Sequence, residues 1–289
     1  MSFTLDFIGV GAAKAGTTWL GQCLKEHPGV CMSEPKELNF FGRKHVWPPS
    51  PMHYDEGSEW LRSHFETPRE GQVIGEYSVA YLIDPASPQL IYDHNPGVKL
   101  LIALRNPIDA LFSFYYELTK QYVVPNTFEG LLEEYPDFID YGFYDEHIAR
   151  FQALFPAGQI HFMLFEDLHT DPARFLREAF SYIGVDPDFE APSLYARVNE
   201  RREPRFRWMR DAIGGTRDYF RTRPGLKPVQ ETLRVLGVER MGNWLQAWNQ
   251  QQTAKPVMNV DTRARLAETY APHNERVSGI LGRGLDWDA

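Results

Sequence analysis

Cysteine is nearly absent: Cys23 and Cys31 are the only two in 289 residues. Two thiols cannot make a disulfide framework, and no Cys/His group has metal-ligand spacing, so a reducing, cytoplasmic setting is expected with no metal. No apolar run approaches the ~20 residues needed to cross a bilayer. The opening residues M-S-F-T-L-D-F-I-G-V offer neither a basic region nor an apolar stretch, so no secretory signal is expected there. Basic side chains are in deficit, 30 against 39 acidic, for a net charge of −9. That balance argues against a protein that coats nucleic acid, whose phosphate contacts need a basic surface. It leaves room for a local basic pocket. Internal repeats and low-complexity linkers are also missing.

What remains is ordinary globular composition, 43% apolar, 24% charged and 14% aromatic, enough for a sizeable core. The length suits one large α/β domain or two small ones, and residues 1–289 are read as a single domain. Short apolar runs alternate with helical patterns, which suggests βαβ units around a parallel sheet. Strands are expected at 7–10, 73–75, 98–104 and 159–165. A helix should begin near Gly16 and stop before His27-Pro28-Gly29. Another should open at Pro107 and bury Ile108, Leu111, Phe112 and Tyr115. Near the C-terminus two helices are expected, split by Pro272. The segment Phe41–Tyr54, rich in proline, reads as an extended surface loop. The fold class is therefore three-layer α/β, a central parallel sheet flanked by helices, like a P-loop nucleotide kinase.

Charge is uneven. Arg197–Arg240 carries a local balance of +6, so the remainder carries −15. Glu129–Glu146 contains seven carboxylates and no lysine or arginine, which reads as a solvated face.

Two windows carry chemistry. In F-I-G-V-G-A-A-K-A-G-T-T-W-L, Phe7 to Leu20, an apolar strand runs through a glycine-rich turn into a helix. Backbone N–H groups at a helix N-terminus attract anions, and glycine lets an anion approach the main chain. Lys14 adds a mobile charge, and Thr17 and Thr18 add hydroxyl donors. Ala13, Ala15, Gly16 and Trp19 complete the candidate loop. This is not a Walker A loop, in which lysine follows the last glycine; here Lys14 precedes Gly16. In K-L-L-I-A-L-R-N-P-I-D-A-L-F-S, Lys99 to Ser113, a buried strand ends in Arg105 and the following helix carries Ser113. An arginine at a strand's C-terminal end, with a hydroxyl on the next helix, makes a second phosphate site.

Together these windows resemble the sulfotransferases that use 3′-phosphoadenosine 5′-phosphosulfate (PAPS). Three more stretches are similar in the right order: Gly75–Leu82 (G-E-Y-S-V-A-Y-L), Ile160–Leu168 (I-H-F-M-L-F-E-D-L) and Tyr270–Trp287. The resemblance implies that Lys14 and its loop hold the 5′-phosphosulfate. It implies likewise that Arg105 and Ser113 hold the 3′-phosphate. The sulfuryl group would move to an acceptor hydroxyl or amine, leaving adenosine 3′,5′-bisphosphate.

Two departures stand out. The lysine that the heparan-type branch often carries after Glu76 is Tyr77 here. The cytosolic branch's Arg-Lys-Gly is absent, and Arg201 and Arg202 are the candidates to replace it, although a solvated basic loop reads almost as well. For the acceptor proton, the resemblance points to Glu37, which stands just before x-x-Phe-Phe in S-E-P-K-E-L-N-F-F. His45 and His53, in the proline-rich loop, are the alternatives.

A phosphate-transferring kinase and a non-catalytic nucleotide-binding module remain open as other readings. The acceptor is expected to be a small molecule, lipid or carrier-bound metabolite, with neither nucleic acid nor a membrane span involved. The oligomeric state is not legible.

Overall fold

The computed structural model describes residues 3–43, 52–121, 124–195, 203–204, 250–251 and 258–287. The chain divides into two compact units, one of residues 1–198 with 258–289 and the other of residues 199–257. In the second unit the described residues form one antiparallel pair, Glu203–Pro204 with Gln250–Gln251.

The first unit is built on a five-stranded sheet: β1 (Phe7–Gly11), β2 (Val30–Met32), β3 (Val73–Tyr77), β4 (Lys99–Leu104) and β5 (Ile160–Leu164). Their order is β2-β3-β1-β4-β5, and every pairing is parallel. β1 and β4 are buried almost throughout, the run of apolar residues that a central parallel strand requires. β1 lies so close to β3 that Gly9 has no room for a side chain. A Cβ there would stand 2.1 Å from the Tyr77 ring.

Nine helices among the described residues flank the sheet: α1 (Thr17–Glu26), α2 (Gly57–Ser63), α3 (Ser87–His94), α4 (Pro107–Gln121), α5 (Phe128–Glu134), α6 (Tyr144–Gln152), α7 (Phe165–Thr170), α8 (Pro172–Ile183) and α9 (Val260–Leu281). α1 starts and stops where the glycine and the His-Pro-Gly signal place it. α4 begins at Pro107, with the Asn106 side chain accepting from the N–H groups of Ile108 (3.0 Å) and Asp109 (3.4 Å).

The C-terminal expectation needs correction. Pro272 does not split two helices but lies inside α9. Proline removes one N–H from the ladder and usually kinks or breaks a helix. Here buried Leu266 and Tyr270 before it, and Asn274 and Val277 after it, anchor both halves against the body. The Tyr270 hydroxyl also donates to the Ile139 carbonyl (2.6 Å). Tertiary packing outweighs the one missing bond.

Beyond α9 the chain returns to the sheet's edge. Trp287 is fully buried, its indole N–H donating to Glu166 Oε1 (3.1 Å) and its carbonyl accepting from Asn106 Nδ2 (3.1 Å). The C-terminus thus pins the β4–α4 turn, which carries the second candidate phosphate site. Cys23 and Cys31 are both unbridged and buried. None of the described helices is long and apolar enough to cross a membrane.

Candidate functional site

In open parallel sheets, ligands gather at the C-terminal ends of the strands. Here β1, β2 and β4 lead into three segments at that edge, the one after β2 held by the chain at the end of β3.

The first is the loop from β1 to α1. Gly16 sits at φ 82° and forms the N-cap of α1. A Cβ on Gly16 would stand 2.7 Å from Leu168 and 3.2 Å from Phe165, so glycine is required by both backbone and space. The first α1 ladder bond runs from Leu20 N–H to the Gly16 carbonyl (3.0 Å). The N–H groups of Gly16, Thr17, Thr18 and Trp19 therefore have no partner within the helix, the arrangement that draws an anion. Thr18 is exposed and Thr17 is buried. Lys14 adopts a left-handed backbone (φ 65°), and its ammonium stands 3.8 Å from Glu117 on α4.

Trp19 contributes its backbone to the loop and its ring to the core. Its ring is buried, tilted on Phe175 at 6.0 Å, and its indole N–H donates to the Ser193 carbonyl (3.0 Å). The side chain belongs to the core, and only the backbone N–H faces the anion position. Tyr115 and Tyr116 are buried too.

The second segment is the β4–α4 turn. Arg105 donates to the Lys14 carbonyl (3.1 Å), and its guanidinium lies 4.5 Å over the Phe165 ring. Arg105 is therefore bonded to the main chain of the lysine-bearing loop. Ser113 is half-buried one helical turn before Glu117, the residue nearest the Lys14 ammonium, so it shares that face of α4.

The third segment, Glu34 to Phe41, follows β2 and is clamped from β3. Glu37 and Asn39 both take left-handed backbones, φ 67° and 52°, which non-glycine residues hold only where surroundings enforce it. Four bonds enforce it. Glu37 N–H donates to the Tyr77 carbonyl (3.1 Å), and Glu37 Oε2 accepts from Val79 N–H (2.8 Å). Asn39 N–H donates to the Ser78 hydroxyl (3.0 Å), and Phe41 N–H donates to the Tyr81 hydroxyl (3.2 Å). Lys36 pairs with Glu37 Oε1 and lies 5.2 Å over the Tyr77 ring. Tyr77, where the heparan-type pattern has lysine, donates from its hydroxyl to the Gly11 carbonyl (2.9 Å).

Sequence reasoning missed Glu76. It is fully buried, Ser78 donates to its Oε2 (2.9 Å), and no described group bonds its Oε1. Burial pushes its carboxyl up to about 7, against the opposing pull of the Tyr81 and Ser78 hydroxyls. The signal was visible: a carboxylate inside an otherwise apolar strand must be paired or neutral.

The histidine candidates divide. The His53 ring stacks on Trp60 at 4.3 Å and stands 3.8 Å from Glu56. Its backbone N–H bonds the Asn39 carbonyl (3.2 Å), so it flanks the Glu37 segment with its ring turned to Trp60. His45, Arg201 and Arg202 lie outside the described residues, as does most of the proline-rich loop. Among the described residues no group of three or more His, Cys, Asp or Glu could hold a metal ion.

Comparison with known proteins now bears on this geometry. A family model described as "Sulfotransferase domain" matches residues 5–203. Heparan sulfate glucosamine 3-O-sulfotransferase 3A1 of Mus musculus is 24% identical over 288 residues, covering 96% of this chain and 63% of that protein. Heparan sulfate glucosamine 3-O-sulfotransferase 5 of Homo sapiens is 28% identical over 200 residues, covering 64% of this chain and 55% of its own length. The chain thus spans less than two thirds of these relatives. A sulfotransferase crystal structure from Alicyclobacillus acidocaldarius superposes with a TM-score of 0.67 at 23% identity, covering 99% of this chain and 100% of that one. The likeness to that structure is one of fold.

Proposed function

We propose, since the chain belongs to the sulfotransferase domain family, that it moves the sulfuryl group of PAPS to an acceptor hydroxyl or amine and releases adenosine 3′,5′-bisphosphate. One observation carries the reading: a lysine-bearing loop on a helix N-terminus is bonded by Arg105, while a half-buried carboxylate is held at Val79, which follows the neighbouring strand. A kinase reading has no comparable support, because the loop lacks the lysine after Gly16 that a Walker A pattern requires.

In this reading the four N–H groups from Gly16 to Trp19, with Lys14, hold the 5′-phosphosulfate. Arg105 and Ser113 take the 3′-phosphate, Arg105 as a charge-assisted donor kept in place by the Phe165 ring. Reaction is an in-line displacement at sulfur. A bond forms from the acceptor oxygen or nitrogen to sulfur, and the bond from sulfur to the phosphate oxygen breaks. The electron pair of the broken bond stays on that oxygen, where Lys14 and the α1 N-terminus offset the growing charge. The acceptor proton passes to Glu37, whose second oxygen is fixed by Val79. Lys36 is paired with the same carboxylate. His53 is the second choice for the base. The acceptor belongs to a small molecule, lipid or carrier-bound metabolite, and the low cysteine content supports a cytoplasmic setting.

Calorimetric titration tests the nucleotide site. Arg105→Ala should weaken adenosine 3′,5′-bisphosphate by about 1.5–3 kcal/mol, the scale of a bond to a charged group, while changing adenosine 5′-monophosphate little. Equal losses for both ligands would reject the 3′-phosphate placement.

A further inference from the structure

Glu76 lies fully buried in β3, opposite Ile8 of β1. A carboxyl in such a place costs stability unless its bonds repay it, and it takes no part in either phosphate site described above. What it holds is a pair of hydroxyls. Ser78 gives its one proton to Glu76 Oε2 (2.9 Å), so the Ser78 oxygen has only lone pairs left to offer. One of them accepts from the Asn39 N–H (3.0 Å). Two residues on, the Phe41 N–H donates to the Tyr81 hydroxyl (3.2 Å), which draws on the same carboxyl. Ser78 and Tyr81 are both fully buried. A hydroxyl there that lost its acceptor would turn its proton toward the loop or leave it unsatisfied, and either outcome weakens the bond to the loop N–H.

Both N–H groups lie in the segment that presents Glu37. Glu37 and Asn39 hold left-handed backbones, φ 67° and 52°, which persist only where the surroundings over-determine them. The two halves of that segment are held differently. At Glu37 the partners are main-chain groups, the Tyr77 carbonyl and the Val79 N–H, whose directions the strand end fixes. At Asn39 and Phe41 the partners are hydroxyls, and a hydroxyl rotates to suit its neighbours. Something must set that rotation, and the Glu76 carboxyl takes the Ser78 proton.

We infer that Glu76 is a positioning residue for the base: through Ser78 and Tyr81 it sets the hydroxyls that hold Asn39 and Phe41, and so fixes where the Glu37 carboxylate stands. Its functional half rests on the sulfuryl-transfer reading above, whereas the clamp is a property of the fold.

The test, on the full chain, compares Glu76→Gln, whose amide oxygen still accepts from Ser78, with Glu76→Leu, which offers the hydroxyls nothing. Hydrogen exchange read by mass spectrometry follows the clamp without any substrate. In Glu76→Leu the peptide spanning 37–41 should exchange about tenfold faster or more, while peptides from β1 and β4 keep their protection. In Glu76→Gln all of them should match wild type. Single-turnover transfer from radiolabelled PAPS to the best acceptor in a screen of phenols, alcohols and amines reads the consequence. Glu76→Leu should lower that rate by about 10–100-fold, the cost of displacing a reacting group, with affinity for adenosine 3′,5′-bisphosphate within about threefold, and Glu76→Gln should restore it. The double variant separates positioning from a general structural defect. Adding Glu76→Leu to Glu37→Gln should cost less than about twofold more, because a base already lost cannot be misplaced. Should Glu76→Leu fail to fold, Ser78→Ala, which removes the relay and leaves the carboxyl, takes its place with the same expected outcomes. Wild-type exchange and transfer in the leucine variant, equal losses in the glutamine and leucine variants, or a full further loss in the double variant would overturn the inference. Faster exchange at 37–41 in a protein whose wild type transfers no sulfuryl group would uphold the clamp and reject the sulfuryl-transfer reading instead.

Discussion

Replacing Gly16 by alanine should damage the nucleotide site through a contact far away in sequence. At φ 82° an alanine pays a backbone strain of about 1–2 kcal/mol. Its methyl would stand 2.7 Å from Leu168 Cδ2 and 3.2 Å from Phe165 Cδ2, overpacking worth about 1–3 kcal/mol in a tight interior. Together the loss of stability should reach about 2–5 kcal/mol, read as a lower urea midpoint at unchanged m-value. The contact also has a functional consequence. Phe165 is the ring beneath the Arg105 guanidinium, so a displaced ring moves the cation assigned to the 3′-phosphate. Affinity for adenosine 3′,5′-bisphosphate, measured by calorimetry on the folded variant, should fall at least tenfold. A variant with wild-type stability and wild-type affinity would refute the reasoning.

Two further outcomes follow from the same site. Lys14→Ala should leave the fold intact and lower turnover by roughly two to three orders of magnitude, the scale for losing one charge-stabilising donor; near wild-type turnover in the purified variant would remove Lys14 from the mechanism. Glu76, raised from 4.5 to about 7 in the fold, binds its proton more tightly folded than unfolded, so its contribution to stability is complete below about pH 4.5 and is lost as the pH rises to about 7, a change of about 3 kcal/mol. Chemical denaturation across that window should show the decline in wild type and not in Glu76→Gln, and identical slopes in the two proteins would contradict a buried, neutral carboxyl.

Much of this architecture could be read from neighbouring residues. β1, the Lys14–Gly16 turn and the start of α1 follow from a buried strand, a glycine and two threonines within a dozen positions. Pro107 marked the start of α4 in the same local way. What escaped was long-range. Leu168 and Phe165 close over Gly16, and nothing near Gly16 in sequence announces them. The left-handed backbones of Glu37 and Asn39 are imposed by Tyr77, Ser78, Val79 and Tyr81 some forty residues later. Helical spacing already placed Tyr115 in the core, whereas the Phe175 ring and Ser193 carbonyl that hold Trp19 come from far along the chain. Pro272 misled because helix-breaking is a local rule, while α9 is held from outside by Tyr270 and Val277.

The most direct test of sulfuryl transfer with Glu37 as the base is a single-turnover measurement on Glu37→Gln. The amide keeps the shape and can still accept from the Val79 N–H, but it cannot take the acceptor proton. With radiolabelled PAPS and the best acceptor from a screen of phenols, alcohols and amines, transfer should fall by about 10²–10⁴-fold, the range for losing a general base, while affinity for adenosine 3′,5′-bisphosphate stays within about threefold. Transfer at near the wild-type rate would contradict the assignment. If His53→Ala were inactive in the same assay, the proton would belong to the ring stacked on Trp60.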